Sequence, residues 1–483
     1  MSSNKQIMYF STSDIIIYGT KNNKTIYKAQ NFISSEALLI SYGGKLKGSI
    51  AVVVEQHPNK KNFGIIIEVL GLMISSNLYK ILRHIYNINI KKTKIEIIEI
   101  NLCNYISEDI FSIDPDETVD IDDAISWKEL EEYYKIIIYI ARPTAFIQEN
   151  ELVNISKYSF STLYKSPGNI NLLSDDITFN SSFLENKIKP AFAIEFLIDK
   201  ITYKITNIKN FICNIINSHK RSYDNCFELS TIKLFFELSK KISKNYEFII
   251  NNSHNLISFW MIQTNLYIGN LCMEKKLNIP YRVIKIENLS EDIIKELNNI
   301  KDQDIRQIFY EKKSLCSVYI YSDNINYHNK LKLFNYTHFT SPIRRIIDTL
   351  IQWSIIHNIK FNELLDKYNC NLEIINKNAK STKQYHRDIE LLNAVNITMN
   401  TPFDINGYIY KKGLENYWTI YFKTLGFQKI KMWDKKFSYF ITEDIKKKIE
   451  NIKIGDKSNF RIFNRNGFLP REKIFIEPIE LIL

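Results

Sequence analysis

Residues 112–125 read SIDPDETVDIDDAI. Asp114, Asp116, Glu117, Asp120, Asp122 and Asp123 fall within this segment, while Ile113, Val119, Ile121 and Ile125 alternate with them as in a half-buried strand. A solvated acidic loop would not carry that apolar rhythm. Carboxylates crowded together raise one another's pKa, and burying them ionised is costly without a cation. Any fold of this chain must therefore bring positive charge to the segment. A calcium loop of the EF-hand type does not fit. Counted from Asp114, the sixth position is Val119 where a glycine is needed, and the twelfth is Ile125 where a bidentate glutamate belongs. Magnesium suits the pattern better, because it takes a few carboxylates and leaves positions for water and phosphate oxygens. Pro115 and the polar residues after it can turn the chain so that Asp114 faces Asp120, Asp122 and Asp123. Carboxylates so clustered can hold two metals for in-line attack on a phosphodiester.

The rest of the chain is basic. Sixty-four Lys and Arg against 53 Asp and Glu leave a formal charge of +11, with pI near 9.0. An anionic partner accounts for that balance, as does an Ile/Asn/Lys-rich coding bias. The 483 residues predict two to four domains, and the 45% hydrophobic content supplies their cores. Cys103, Cys213, Cys226, Cys272, Cys316 and Cys370 form no CxxC pair, which argues against zinc ribbons and redox motifs and for reduced thiols. The opening MSSNKQIMYFSTSD lacks the apolar core of a signal peptide, and the longest apolar run, residues 63–75, contains Glu68 and is too short to span a bilayer. The expectation is a soluble intracellular protein with no membrane partner, cytoplasmic, an organellar location being left open.

Pattern along the chain divides it into three. Residues 1–95 are strand-like, with KGSIAVVVEQH and NFGIIIEVLG joined by a polar turn. Residues 96–400 mix strands such as KIIIYIA and FAIEFLID with helical stretches from 228 onward. Residues 401–483 return to strands, with GYIYKKG, YWTIYFKTLGF and SNFRIF. The fold class expected is α+β, a central catalytic domain flanked by small β-barrels.

A second motif lies far downstream. In YTHFTSPIRRIIDT (336–349), Ser341 or Thr340 can cap a helix and Pro342 suits its first turn. Ile343, Ile346, Ile347, Leu350 and Ile351 make an apolar stripe, with Arg344, Arg345 and Asp348 off it. Arginines at a helix N-terminus make a phosphate site, whereas an amphipathic helix with an Arg345–Asp348 surface pair explains the same residues without one.

Together the two motifs resemble the RNase II/RNase R family, the RNB-domain exoribonucleases. DPDETVDIDDAI matches that family's spaced aspartates, and HFTSPIRR followed by an aspartate matches its arginine motif. Weaker likenesses occur in order at KIIIYIARPTAFI, TLYKSPGNINLL, NSHKRSYDN and IPYRV. The resemblance implies an RNB-type catalytic domain between an OB/cold-shock-like N-terminal domain and an OB-like C-terminal RNA-binding barrel. It implies a hydrolytic 3′→5′ exoribonuclease that degrades single-stranded RNA to nucleoside 5′-monophosphates. It implies two Mg²⁺ ions, for which Mn²⁺ could substitute, held by Asp114, Asp120, Asp122 and Asp123. Catalysis falls to Asp122 and Arg344. RNA binding falls to Tyr164, Tyr223, Arg344 and Arg345, the last holding either RNA or the local structure. The alternative is a catalytically weak or inactive RNB-family RNA-binding subunit of an RNA-processing complex, and a DNA exonuclease is a third reading.

The pattern departs from the family at four places. Arg142 stands where an aspartate is usual and could help neutralise the acids. Ser258 and Phe259 replace paired glutamates, His386 replaces another glutamate, and the stretch between Tyr223 and Asn255 is short.

Overall fold

The computed structural model describes residues 5–17, 25–32, 34, 36–73, 75–88, 105–106, 109–164, 168–286, 289–321, 327–397, 403–413, 417–431, 451–464 and 474–478. Cys103, residues 165–167 of TLYKSPGNINLL, residues 414–416 and 432–433 of the tail, and the expected boundaries at 95/96 and 400/401 lie outside them. The chain divides into two compact units. One gathers residues 1–89, 288–314 and 383–483, and the other residues 90–287 and 315–382. The architecture is α+β throughout.

In the first unit, alternating apolar residues build strands β1 (Lys5–Ser11), β2 (Ile15–Ile17), β3 (Thr25–Asn31), β4 (Ala37–Tyr42), β5 (Ser49–Gln56) and β6 (Phe63–Leu72). Their order is β1-β5-β6-β4-β3-β2, and β1 also pairs with β3, so the sheet closes into a small barrel. Met8, Phe10, Ile40, Ile50, Val52 and Val54 fill it. Ala51 and Val53, on the other face of β5, pack against Leu78 and Ile81 of helix α1 (Ser75–Ile85).

The second unit is organised around seven strands: β7 (Tyr105–Ile106), β8 (Phe111–Ile113), β9 (Asp123–Glu129), β10 (Tyr133–Ala141), β11 (Ile188–Asp199), β12 (Ile205–Ile216) and β13 (His219–Arg221). They run in the order β13-β8-β9-β10-β11-β12-β7. The unbroken apolar run KIIIYIA is explained by burial on both faces. Ile136, Ile138 and Ile140 join the large core, while Ile137, Tyr139 and Ala141 join a smaller one behind the sheet. Helices α2 (Glu149–Ser156), α3 (Asp175–Ser181), α4 (Ser230–Ser243) and α5 (Ser253–Glu274) follow. Phe235 of α4 and Trp260 of α5 belong to the large core and stack on each other.

A four-stranded sheet, β15-β14-β16-β17, comes from β14 (Pro280–Ile286), β15 (Leu315–Tyr321), β16 (Tyr327–His328) and β17 (Leu333–Phe334). Between β14 and β15 the chain forms α6 (Glu291–Asn298) and α7 (Gln303–Ser314) of the first unit. Helices α8 (Ile346–His357), α9 (Phe361–Asp366) and α10 (Leu372–Ile397) precede the last sheet. That sheet, β20-β19-β18-β21-β22, consists of β18 (Phe403–Lys411), β19 (Tyr417–Phe422), β20 (Gly426–Lys431), β21 (Lys457–Asn464) and β22 (Ile474–Pro478). Its aromatic alternation turns inward, for Trp418, Ile420, Phe422 and Phe460 are buried together.

Four local expectations are corrected. The helix of the second motif starts at Ile346, with Arg345 at its N-cap and no side-chain cap, so Ser341 and Pro342 belong to a preceding turn. Ile343 packs in the smaller core while Ile346, Ile347, Leu350 and Ile351 pack in the large one, so they are not one stripe. Every residue of α8 from Ile346 to Ile355 is buried, including Asp348, which makes it a central helix rather than an amphipathic one. Val119, expected to be half-buried with its neighbouring isoleucines, is 59% exposed. Among the described residues no helix is long and apolar enough to cross a membrane, and Cys213, Cys226, Cys272 and Cys370 are free thiols.

Candidate active site

The acidic segment is the connection between β8 and β9, two strands that meet at Phe111 and Ile125. It is tied down at both ends. The Asp114 amide donates to the Arg221 carbonyl (3.0 Å), extending the parallel pairing of β8 with β13. The Lys220 amine donates to the carbonyls of Asp116 (3.0 Å) and Thr118 (2.8 Å). On the far side Ser182 Oγ accepts from the Ile121 amide (3.0 Å) and donates to the Val119 carbonyl (2.7 Å). The Ala141 amide donates to the Asp122 carbonyl (2.8 Å). Asp116 and Glu117 are exposed, whereas Asp120 and Asp122 are buried. A cavity of about 480 Å³ opens beside this loop, lined by Asp116, Lys220, Arg221, Ser222, Asn225 and Glu228 among others.

The second motif reaches the first directly, across more than two hundred residues. The Ile343 amide donates to Asp122 Oδ1 (2.8 Å), and Arg344 Nε donates to Asp122 Oδ2 (2.8 Å). Arg344 Nη2 also donates to Ser341 Oγ (2.9 Å). The turn that aims these donors rests on Asp348. Arg345 Nε and Nη2 grip its two oxygens (2.8 and 2.7 Å), and the Ser341 amide donates to Oδ2 (2.9 Å). Arg345 is thus committed to a buried bidentate pair rather than the surface pair the sequence suggested. Residues 160–163 run beside this turn. The Thr162 amide donates to the Arg344 carbonyl (3.0 Å) and the Ile346 amide to the Phe160 carbonyl (2.9 Å). That pairing delivers Tyr164, whose hydroxyl donates to Asp120 Oδ2 (3.0 Å) while 39% of the residue stays exposed.

Burial and neighbouring charge act together on these acids. Burial pushes Asp114 up to about 6, with Asp120 adding to the rise and Arg344 and Lys220 opposing it. Burial pushes Asp122 up to about 7, against Arg344 and the Ile343 amide. Asp123 stands well above the usual carboxylate range, through desolvation and the charges of Asp114 and Asp122. The same pairing raises Arg344 above the ordinary arginine range, against partial desolvation. Tyr223 lies by the acids too. Burial raises its hydroxyl, and Asp123 and Asp114 raise it further.

The donor set suits a hard divalent cation, being all carboxylate oxygens, with Asp114 Oδ2 buried and without a hydrogen-bond partner. Among the described residues no three His, Cys, Asp or Glu side chains stand close enough to hold a metal. Both Asp122 oxygens accept hydrogen bonds, from the Ile343 amide and from Arg344.

The departures fall into place one by one. Arg142 sits at the end of β10 with its Nε buried and unbonded, and its charge is felt at Cys213 of β12 rather than at the aspartates. It does not neutralise the acids. Ser258 is exposed on α5, while Phe259 packs in the core against Trp260 and Phe248. His386 lies on α10 in the first unit, its ring beside Tyr385. Sequence reasoning missed Lys220, whose amine has no motif, and Ser182, an ordinary serine until the chain folds back on it.

A family model described as the RNB domain matches residues 103–233 and 227–360, more than half of the chain. The chain belongs to the RNB-domain family. Among curated relatives, Ribonuclease R 2 of Lactococcus lactis is 23% identical over 319 residues, 51% of this chain and 48% of that protein. Ribonuclease R of Mycoplasma genitalium is 24% identical over 316 residues, 50% of this chain and 43% of that protein. This RNB chain thus spans under half the length of the curated relatives it matches. In fold, the apo structure of the M. genitalium enzyme superposes with a TM-score of 0.75 at 16% identity, covering 99% of this chain and 90% of that one. Yeast Ssd1, described as a pseudonuclease, superposes with a TM-score of 0.68 at 11% identity, covering 100% and 84%. A nuclease and a pseudonuclease thus share the RNB architecture found here, and activity has to be argued from side chains.

Proposed function

We propose that this chain is a Mg²⁺-dependent hydrolytic 3′→5′ exoribonuclease acting on single-stranded RNA. The observation that carries the reading is the meeting of the two motifs. Asp122 is gripped by the Ile343 amide and Arg344, while Asp114, Asp120 and Asp123 keep their carboxylates beside it. Asp114, Asp122 and Asp123, each held above the usual carboxylate range by burial and by a neighbouring aspartate, are hard to account for as structure alone. The M. genitalium relative is solved with ribose-methylated single-stranded RNA and with double-stranded RNA, which supports RNA as the substrate class.

Asp114 and Asp123 would hold one ion, and Asp120 and Asp122 a second. Bound there, divalent metal supplies charge neutralisation and a more acidic water at the phosphate. The chain's own groups do the rest. Arg344, still 45% exposed at its side chain, has donors left over from Asp122 and Ser341 to meet a phosphate oxygen and stabilise its charge. Tyr164 and Tyr223 offer ring faces beside the acids on which 3′-terminal bases stack. Arg345 supports the turn.

A second reading, RNA binding without hydrolysis, is favoured by the double engagement of Asp122. Incubating a 5′-labelled oligoribonucleotide with Mg²⁺ separates the two. The nuclease reading expects stepwise shortening by the wild type and none by Asp122→Asn, which still binds. Binding without shortening by both proteins refutes it. A matched DNA oligonucleotide tests whether the 2′-OH is required.

A further inference from the structure

Tyr223 does not stand alone at the acids. Its ring lies flat on the imidazole of His254, with centroids 3.7 Å apart and planes 15° from parallel. The two residues are fixed from both sides. Tyr223 follows β13 in a short turn, where its carbonyl accepts from Ser253 Oγ (2.8 Å) and the Ser222 amide donates to Asn225 Oδ1 (2.9 Å). His254 belongs to the first turn of the 22-residue helix α5, capped by the Asn252 side chain, which accepts from the Asn255 amide (2.8 Å). His254 is exposed, as is Ser258 one turn along the same helical face. An aromatic side chain on a turn ordinarily explores several rotamers, and ordering it on binding costs free energy. Here the imidazole covers one face of the ring, which stays half-buried and lies near enough to Asp114 and Asp123 to feel their charges.

We propose that His254 is a positioning residue for the substrate. It holds Tyr223 in one orientation so that the exposed part of its ring receives a base near the RNA 3′ end. The inference rests on the nuclease reading for the identity of the ligand and on the ring stack for the role of His254. Its effect falls on RNA affinity and KM, with kcat changed less, because His254 reaches the reacting phosphate only through Tyr223.

Binding of a 5′-labelled single-stranded oligoribonucleotide to the full chain, without divalent metal to prevent hydrolysis, tests it. His254→Ala is expected to weaken binding about tenfold, within the range that one base–aromatic stack contributes. His254→Phe, which restores a flat ring, should return affinity to within about threefold of wild type. In a Tyr223→Ala background, His254→Ala should change nothing further, an outcome that a general structural role for His254 does not give. Unchanged affinity in His254→Ala overturns the proposal, as does an undiminished effect once Tyr223 is gone. A wild type that binds RNA while His254→Ala binds equally well sinks this inference alone. A wild type that binds no RNA sinks the nuclease reading and this one with it.

Discussion

Asp348 is the place where the structure makes a quantitative claim. Its carboxylate is fully buried and satisfies three donors, Arg345 Nε, Arg345 Nη2 and the Ser341 amide. Asp348→Ala leaves a guanidinium unpaired and an amide without its acceptor. Breaking a buried ion pair by removing one partner costs about 3–5 kcal/mol, and an orphaned buried amide about 1–3 kcal/mol more. The contributions share one side chain and overlap, so a total of about 5 kcal/mol is expected. With each kcal/mol worth about 2–4 °C in a unit of this size, the melting temperature should fall by about 10–20 °C. Asp348→Asn, which keeps one acceptor and loses the charge, should fall between wild type and Asp348→Ala. Urea denaturation of wild type, Arg345→Met, Asp348→Ala and Arg345→Met/Asp348→Leu completes the cycle. The double variant should be less destabilised than the sum of the singles by about 2 kcal/mol or more. Hydrolysis should decline as well, since this turn aims Ile343 and Arg344 at Asp122. An Asp348→Ala protein within about 1 kcal/mol of wild type, the range of an exposed pair, would refute the claim that the turn is held by a buried charge pair.

Further outcomes follow from the same geometry. His328 is buried with Nδ1 accepting from the Leu331 amide (3.1 Å), and burial lowers its pKa from 6.5 to about 4. The folded state then binds fewer protons than the unfolded one, so stability is full above pH 6.5 and lost as pH falls toward 4, by at most about 3 kcal/mol. His328→Asn should flatten that part of the acid dependence in urea titrations; Asp114 and Asp122 titrate with the opposite sign, so the variant-minus-wild-type difference is the quantity to read, and no difference counts against the assignment. Gly269 of α5 lies where an added Cβ would overlap the Asn335 carbonyl oxygen. Gly269→Ala should therefore destabilise by about 3 kcal/mol or more, and a denaturation midpoint near wild type would mean the two segments are not so closely packed. If basic side chains carry the RNA, log affinity should fall linearly with log salt, with a slope near −0.7 per phosphate neutralised. A flat response in a filter-binding series would make the net charge of +11 a matter of composition.

Both halves of the site were legible in the one-dimensional chain because each carries its own local logic. Acids alternating with isoleucines in SIDPDETVDIDDAI need compensation wherever they fold. An arginine pair after Ser-Pro is a recognisable anion-binding pattern. Strand runs such as KIIIYIA and SIAVVVEQ, and helices such as SHNLISFWMIQTNLYIGNLCME, were likewise readable, because the length of an apolar run and its β-branched content are local properties.

What the sequence could not decide were matters of contact. Arg344 and Arg345 are neighbours of one residue type, yet one donates to Asp122 across the fold and the other locks onto Asp348 within its own helix. Only the turn before Ile346 makes them differ. Arg142 follows Ala141, whose amide donates to the Asp122 carbonyl, yet its charge is felt at Cys213, since the direction of a side chain, not the place of its backbone, sets its neighbours. Lys220, Ser182 and His254 carry no motif. They matter because β13, the residue 182 turn and the start of α5 come to the acidic loop or to the tyrosine beside it. The sequence by itself determined which groups must be compensated. The tertiary structure alone decided which partner compensates each, because hydrogen bonds, ring stacks and desolvation act over a few ångströms that no spacing along the chain records.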